Sequence, residues 1–315
     1  MGLSTFAKLS LLAVMVAAPP VAAPASPAND DVFLGRWDIT ATGTPSGLPR
    51  NCWLELKRED GQLKGRFNAG GGAVFDLPQV AIEGGELKFQ YGKPDNPQVW
   101  QGTAKGAGLT GTAHLGATTL AWTGERGPAW PATPPRRKPG KPIDLFNGND
   151  VSNWLSQDPH RPMGWSVKDG ILMNEGKGAN NIYSRQKFND FNLDVEFNVD
   201  PESNSGVYLR GRYEIQILDS PGRPLDVHSQ GAVYGFIVPS VNACKPAGEW
   251  QTYAITLIAN HITVVLNGTK IIDDFAVPGI TGGALDAHEK LPGPILLQGD
   301  HGRVQFRKVR ITPLI

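Results

Sequence analysis

Two cysteines in 315 residues, Cys52 and Cys244, are too few for a disulfide framework. They fall in different halves of the chain, and the simplest reading is two separate small buried thiols. No Cys/His spacing of a zinc site occurs. Charge of one sign is also lacking: 30 basic residues balance 30 acidic ones. No global field therefore favours nucleic acid or an anionic membrane. Beyond the first 28 residues no apolar run approaches the roughly 20 residues that cross a bilayer as a helix. No segment there carries a convincing helical period either. These absences leave a strand-rich globular chain with a neutral partner, of which a sugar is one kind.

Glycine and proline are plentiful instead, 38 and 26, as in chains of many short strands joined by turns. The length suits two domains of roughly 100–200 residues each. Lys8, the apolar run Leu9 to Ala18 and the small residues and prolines up to Ala28 together read as a secretory signal peptide over residues 1–28. A cut after Ala25 or Ala28 is as acceptable as one after Ala23, which Pro24 follows. The mature protein is then expected in the periplasm or secreted. Residues 128–142, with Trp130-Pro131-Ala132-Thr133-Pro134-Pro135 and Pro139, read as an extended linker. Proline fixes φ and removes donors, so this stretch is expected to stay out of any sheet.

Before the linker, residues 30–127 read as an accessory antiparallel β-domain, a meander or small barrel. Trp53–Lys57 and Leu63–Phe67 flank Asp60-Gly61, a hairpin pattern. Similar short runs recur at Val80–Ile82, Leu87–Tyr91, Val99–Gly102, Leu109–Ala113 and Leu120–Thr123. Gly35-Arg36-Trp37 is similar to the Gly-x-Trp opening of lipocalins. The domain could take a lipid-like ligand or simply help present the other half.

After the linker, residues 143–315 carry longer strands. Phe191, Leu193, Val195, Phe197 and Val199 alternate with polar residues, so one face is buried. Trp250–Ile258 and Ile262–Leu266 follow, and Asn267-Gly268 makes a type I′ turn into Lys270–Ile272. Ile295–Gln298 and Val304–Ile311 complete the set. The fold class expected is all-β: a C-terminal jelly-roll sandwich beside the smaller N-terminal β-domain.

The C-terminal half carries a series of specific motifs in order. Asp144-Leu145-Phe146-Asn147-Gly148 is followed by Trp165-x-Val167-x-Asp169-Gly170 and Asn204-Ser205-Gly206-Val207-Tyr208-Leu209-Arg210. Then come Tyr213-Glu214-Ile215-Gln216-Ile217-Leu218-Asp219, Gly231-Ala232-Val233-Tyr234-Gly235 and Gly248-Glu249-Trp250. Gly293-Pro294-Ile295-Leu296-Leu297-Gln298-Gly299-Asp300-His301-Gly302 follows, and Val304-Gln305-Phe306-Arg307 ends the series. In these motifs residues 142–315 resemble the 3-keto-disaccharide hydrolase family, a concanavalin-A-like domain. Lys308-Val309 departs from the Asn-Ile common there. The resemblance implies cleavage of 3-keto-glycosides by 1,2-elimination to a 3-keto-2-hydroxy-glucal, which is then hydrated. It also implies functional dependence on a dehydrogenase that oxidises the sugar at C3.

Such chemistry needs a base at C2–H, donors for the enolate oxygen and an acid for the leaving oxygen. Along Arg212–Leu218, Tyr213, Ile215 and Ile217 point one way, and Arg212, Glu214 and Gln216 the other. Glu214 is the first choice for general base or acid, the alternative being an ion pair with Arg212 on a wet sheet face. Asp219 is a second catalytic candidate. At roughly 3.4 Å per residue it lies about 17 Å from Glu214 on a regular strand, beyond the about 5–9.5 Å of a glycosidase pair. Its other reading is a turn residue that caps backbone donors. His301, held by Asp300, is the third candidate. Arg210, Arg212, Gln216, Tyr234 and Gln298 are the expected substrate contacts. No cofactor is required; acidic groups with His301 are of the type that hold a divalent metal, but no spacing demands one. Two rivals stand beside this reading: a non-catalytic carbohydrate-binding module on the same sandwich, and a two-carboxylate hydrolase of unoxidised glycosides.

Overall fold

The glycine turns and alternating runs become 22 strands and one short 3₁₀ helix, Asp30–Phe33, in a computed structural model that describes residues 30–93 and 95–315. The expected signal peptide lies outside the described residues. Nine strands build an antiparallel N-terminal sheet: β1 (Gly35–Thr42), β2 (Arg50–Glu59), β3 (Gln62–Asn68), β4 (Phe75–Asp76), β5 (Gln79–Glu83), β6 (Glu86–Lys93), β7 (Asn96–Lys105), β8 (Gly108–Leu115) and β9 (Thr118–Arg126). Their order is β4-β3-β2-β1-β9-β8-β7-β6-β5, so the meander curls until β1 meets β9. Asp60 and Gly61, both at positive φ, make the expected β2–β3 turn.

The inside of this curl is filled by aromatic rings. Phe67 lies 5.0 Å from Phe89 and 5.1 Å from Trp100, with Trp37 and Trp122 buried beside them. Arg126 stacks over Trp37 at 3.9 Å, and the Trp37 indole donates to Phe33 O. Side chains thus fill the middle of the curl, while a cavity of about 540 Å³ lined by Leu63, Leu77, Val80 and Phe89 remains on this sheet.

Thirteen further strands build the C-terminal sandwich: β10 (Ile143–Asp144), β11 (Trp154–Ser156), β12 (Trp165–Lys168), β13 (Ile171–Asn174), β14 (Ile182–Ser184), β15 (Asp190–Val199), β16 (Asn204–Leu209), β17 (Tyr213–Leu218), β18 (Gln251–Ile258), β19 (His261–Leu266), β20 (Thr269–Ala276), β21 (Leu296–Leu297) and β22 (Val304–Leu314). One sheet runs β12-β13-β22-β15-β18-β19-β20, with β10 also on β22, and the other β11-β14-β21-β16-β17. Phe191, Leu193, Val195, Phe197 and Val199 of β15 share one core with Tyr213, Ile215 and Ile217 of β17. Inward residues of both sheets therefore face each other, as alternation requires. The fold class is all-β, as the sequence indicates.

The proline-rich segment departs from expectation. Lys138 and Ile315 exchange backbone hydrogen bonds of 2.9 and 2.8 Å, and Gly140 N donates to Pro313 O at 2.8 Å. Residues 138–140 thus lie along the end of β22. The non-proline positions between the prolines keep their donors, which lets the segment pair where a run of prolines could not.

The two halves meet over a small apolar core of Trp53, Ile280, Ala284 and Ala287, with Val74 and Phe236 packed on it. On β2, Cys52, Leu54 and Leu56 point into the curl, so Trp53 points out, onto the sandwich. Its ring meets Phe236 edge-on at 5.6 Å, and a Cβ on Gly279 would overlap it. Both cysteines are unpaired; Cys52 is buried and Cys244 half-buried.

A pair of carboxyls also bridges the halves. Asp38 of β1 is 4% exposed and Glu289 1%. Burial, then the adjacent Glu289, pushes Asp38 up to about 9; burial also raises Glu289. Asp38 Oδ1 and Glu289 Oε2 are buried with no other hydrogen-bond partner among the described residues, and Glu289 Oε1 accepts from the Tyr213 hydroxyl at 2.6 Å. Asp38 therefore stays protonated at neutral pH. Because the folded protein binds this proton more tightly than the unfolded chain, its contribution to stability is full below the ordinary value of 3.8. That contribution is lost as pH rises towards about 9. Thermal melts from pH 5 to pH 9 should show a falling Tm, and Asp38→Asn, which keeps a donor towards Glu289, should show a shallower slope. An unchanged slope in that variant would remove Asp38 as its source.

Candidate active site

On β17, Ile215 and its neighbours two residues apart face the core, so Glu214 and Gln216 face outward, beneath residues 281–283 and the loop after β3. Directly opposite Glu214 across the β16–β17 ladder stands Tyr208, whose hydroxyl donates to Glu214 Oε2 at 2.8 Å. A Cβ on Gly206, one register step along, would collide with Glu214 Oε1. Glycine at 206 thus makes the space in which the carboxyl lies. Gln216, with its amide turned to satisfy both neighbours, donates to Ser205 O at 2.9 Å and to Glu214 Oε1 at 3.1 Å. The Glu214 amide itself donates to Thr281 Oγ1 at 2.9 Å.

Glu214 is 3% exposed. Burial pushes it up to about 8, against the Tyr208 hydrogen bond and the nearby His301, which lower it. Burial also holds the Tyr208 phenol well above its ordinary range. Across the opening, His301 Nδ1 meets Asp300 Oδ1 at 2.6 Å, and that hydrogen bond raises the imidazole above 6.5. Glu214, Tyr208, Asn204, Tyr234, Gln298 and His301 together line one cavity of about 250 Å³, closed on another side by Gly70–Gly72. Two buried side-chain oxygens in its wall, Asn204 Oδ1 and Gln298 Oε1, have no hydrogen-bond partner. Buried acceptors left unpaired are costly, and sugar hydroxyls are suitable donors for them.

Of the residues picked from the sequence, Glu214, His301, Tyr234 and Gln298 are brought together here. Gln216 touches the Glu214 carboxyl without lining the cavity, so it orients that group. Three expectations are corrected. Arg210 sits at positive φ in the turn after β16, and its guanidinium donates to Asn189 O at 2.8 Å and reaches Asp190 at 3.5 Å. Arg212 precedes β17, and its side chain binds Asp286 at 2.6 Å and Leu291 O at 2.8 Å instead of joining Glu214. Asp219 lies past the end of β17 and accepts from the Glu202 amide at 2.9 Å, the turn-capping role. Among the described residues that line the cavity, Glu214 is therefore the one carboxylate. No group of three or more His, Cys, Asp or Glu among the described residues is arranged to hold a metal ion.

Residues 141–312 match the family described as the 3-keto-alpha-glucoside-1,2-lyase-like domain. The chain belongs to this family. A curated relative, the 3-keto-disaccharide hydrolase of Bacteroides thetaiotaomicron, is 22% identical over 166 residues. That match covers 42% of this chain and 57% of the relative, so the chain spans little more than half of that protein's length. A solved protein of Parabacteroides distasonis assigned as a glycosyl hydrolase is 28% identical, with a TM-score of 0.46 over 59% of this chain and 94% of its own. An endo-beta-1,3(4)-glucanase of family GH16 is 12% identical, with a TM-score of 0.37 over 58% and 93%.

The lyase-like domain thus contains the whole polar cluster, and every glycine of the Gly70–Gly72 wall lies outside it. Tyr208 and Asn204 were missed in the sequence. Period two along β16 places Asn204, Gly206 and Tyr208 on one face, which was the available signal.

Proposed function

We propose that this chain is an exported enzyme that cleaves glycosides already oxidised at C3 of the sugar. The observation that carries the reading is Glu214: a buried carboxyl held near 8, beside unpaired acceptors and a His–Asp pair, in a chain of this family. A proton on C2, next to the ketone, is still a weak acid, and a carboxylate raised in this way is a better base for it than an ordinary one.

In the first half-reaction the Glu214 carboxylate takes the C2 proton, and the C–H electron pair forms the C2=C3 enolate. The ketone then re-forms, C1=C2 becomes the double bond and the C1–O bond breaks. The leaving oxygen takes its proton from the His301 imidazolium, which Asp300 holds in place. The Tyr234 hydroxyl and the Gln298 amide, which line the same cavity, would donate to the enolate oxygen, while the Tyr208 hydroxyl holds the Glu214 carboxyl. Water then adds across C1=C2, its hydroxyl to C1 and a proton to C2. The sum is hydrolysis without net oxidation, and the ketone must come from a separate sugar 3-dehydrogenase.

The test is proton NMR of the full chain with 3-keto-trehalose in D₂O. Cleavage with deuterium arriving at C2, while trehalose itself stays intact, is the expected result. Absence of cleavage for this and a small panel of keto-glycosides would overturn the reading. Binding without turnover would make the sandwich a carbohydrate-binding module.

A further inference from the structure

We infer that the N-terminal sheet is part of the active site: its Gly70–Gly72 loop is a substrate-contacting wall that limits the cavity to a single sugar ring. The inference rests on the function proposed above and adds a specificity determinant from outside the family domain.

The loop that follows β3 reaches over Glu214 and lines the same cavity as Tyr208, Gln298 and His301. Its position is fixed from both sides. Gly283 N donates to Gly70 O at 3.2 Å, and the Asn51 amide donates to Ala284 O at 2.9 Å. On the sandwich side, a Cβ on Gly282 would stand 2.6 Å from Gly72 O, and one on Gly235 2.6 Å from the Ala73 Cα. Gly282 has no positive φ to account for its glycine, and neither has Gly279 under Trp53. Both are glycine where the N-terminal half sits down on them. The sandwich is therefore shaped to receive this loop in one place.

What the loop faces is ligand-shaped. Gln298 is 8% exposed, and its Oε1 is unpaired in the cavity wall. The cavity, about 250 Å³, falls below the roughly 300–1,000 Å³ of drug-sized sites. A cavity of this size suits one pyranose ring, and the group that leaves from C1 would lie at its mouth. The Gly70 amide and carbonyl are already engaged, with Asn68 Oδ1 at 2.9 Å and with the Gly283 amide at 3.2 Å, so the wall acts through its shape. Ordinary side chains there would close the cavity.

Gly71 gives the test, because its φ is not in the left-handed region and a Cβ on it meets nothing within 4 Å. Gly71→Leu should fold with an unchanged Tm and raise KM for 3-keto-trehalose at least about 10-fold, and Gly71→Ala should raise it less. In Glu214→Gln labelled with ¹⁵N-glycine, titration with 3-keto-trehalose should shift the Gly71 and Gly72 amide signals. If the wild type turns over and Gly71→Leu keeps its kcat/KM, the wall is overturned while the proposed function stands. If the wild type turns nothing over, the function falls. Glycine amides that still shift with the sugar then support the wall, and unmoved ones overturn it too.

Discussion

Glu214→Gln is expected to lose roughly 10²–10⁴-fold in kcat on a 3-keto-glycoside, the range that a positioned proton-transfer group supplies. The substitution is nearly isosteric, and the amide can still accept from the Tyr208 hydroxyl, so folding and sugar binding should persist. Direction with pH follows from the environment. Burial pushes Glu214 up to about 8, so a base at this position is mostly protonated at neutral pH. Wild-type kcat/KM should rise as pH climbs towards about 8, and residual activity in the variant should lack that limb. A falling limb that persists in Glu214→Gln belongs to His301, and one that disappears with the substitution would make Glu214 the acid instead. Modest affinity loss with no turnover in either protein would favour a binding module.

The second large effect is expected at Trp53. Removing a fully buried indole costs about 3–5 kcal/mol, and here the lost contacts are those that join the halves. Trp53→Ala should lower the urea midpoint and should split unfolding into two transitions as the N-terminal sheet melts apart from the sandwich. Turnover should drop with it, because Gly70–Gly72 would no longer be held over Glu214. Full activity in a protein whose halves unfold separately would show that the wall is dispensable.

The expected strands were legible because each side chain reports its own face. The runs at Phe191–Val199 and Trp53–Phe67 alternate with period two, and Asp60-Gly61 and Asn267-Gly268 mark their turns, so neither needs distant information. Glu214, Gln298 and His301 were found because the family's motifs carry them. Arg212 was misplaced because a strand boundary moved by one residue: inside β17 it would share the Glu214 face, whereas in the turn it reaches Asp286. Asp219 likewise depends on where the strand ends. Trp53 and Gly70–Gly72 were legible only as oddities, a large apolar ring on the outward side of a strand and a glycine run in a hairpin domain. Their partners on the sandwich, Phe236 and Gly279 for Trp53 and Gly282 and Gly283 for the glycines, lie more than 150 positions away, and no local pattern specifies a partner so remote.

The place of β22 bears on how the molecule comes to be assembled. It is the strand latest in sequence, yet it lies inside its sheet between β13 and β15, and its end receives residues 138–140. The N-terminal sheet pairs mostly neighbours in sequence, contacts that form quickly. During synthesis it can be complete while the sandwich still waits for this interior strand. The half that holds Glu214 would then close against a finished template, and removal of the last ten residues should leave a folded first half attached to a chain that cannot shut its site.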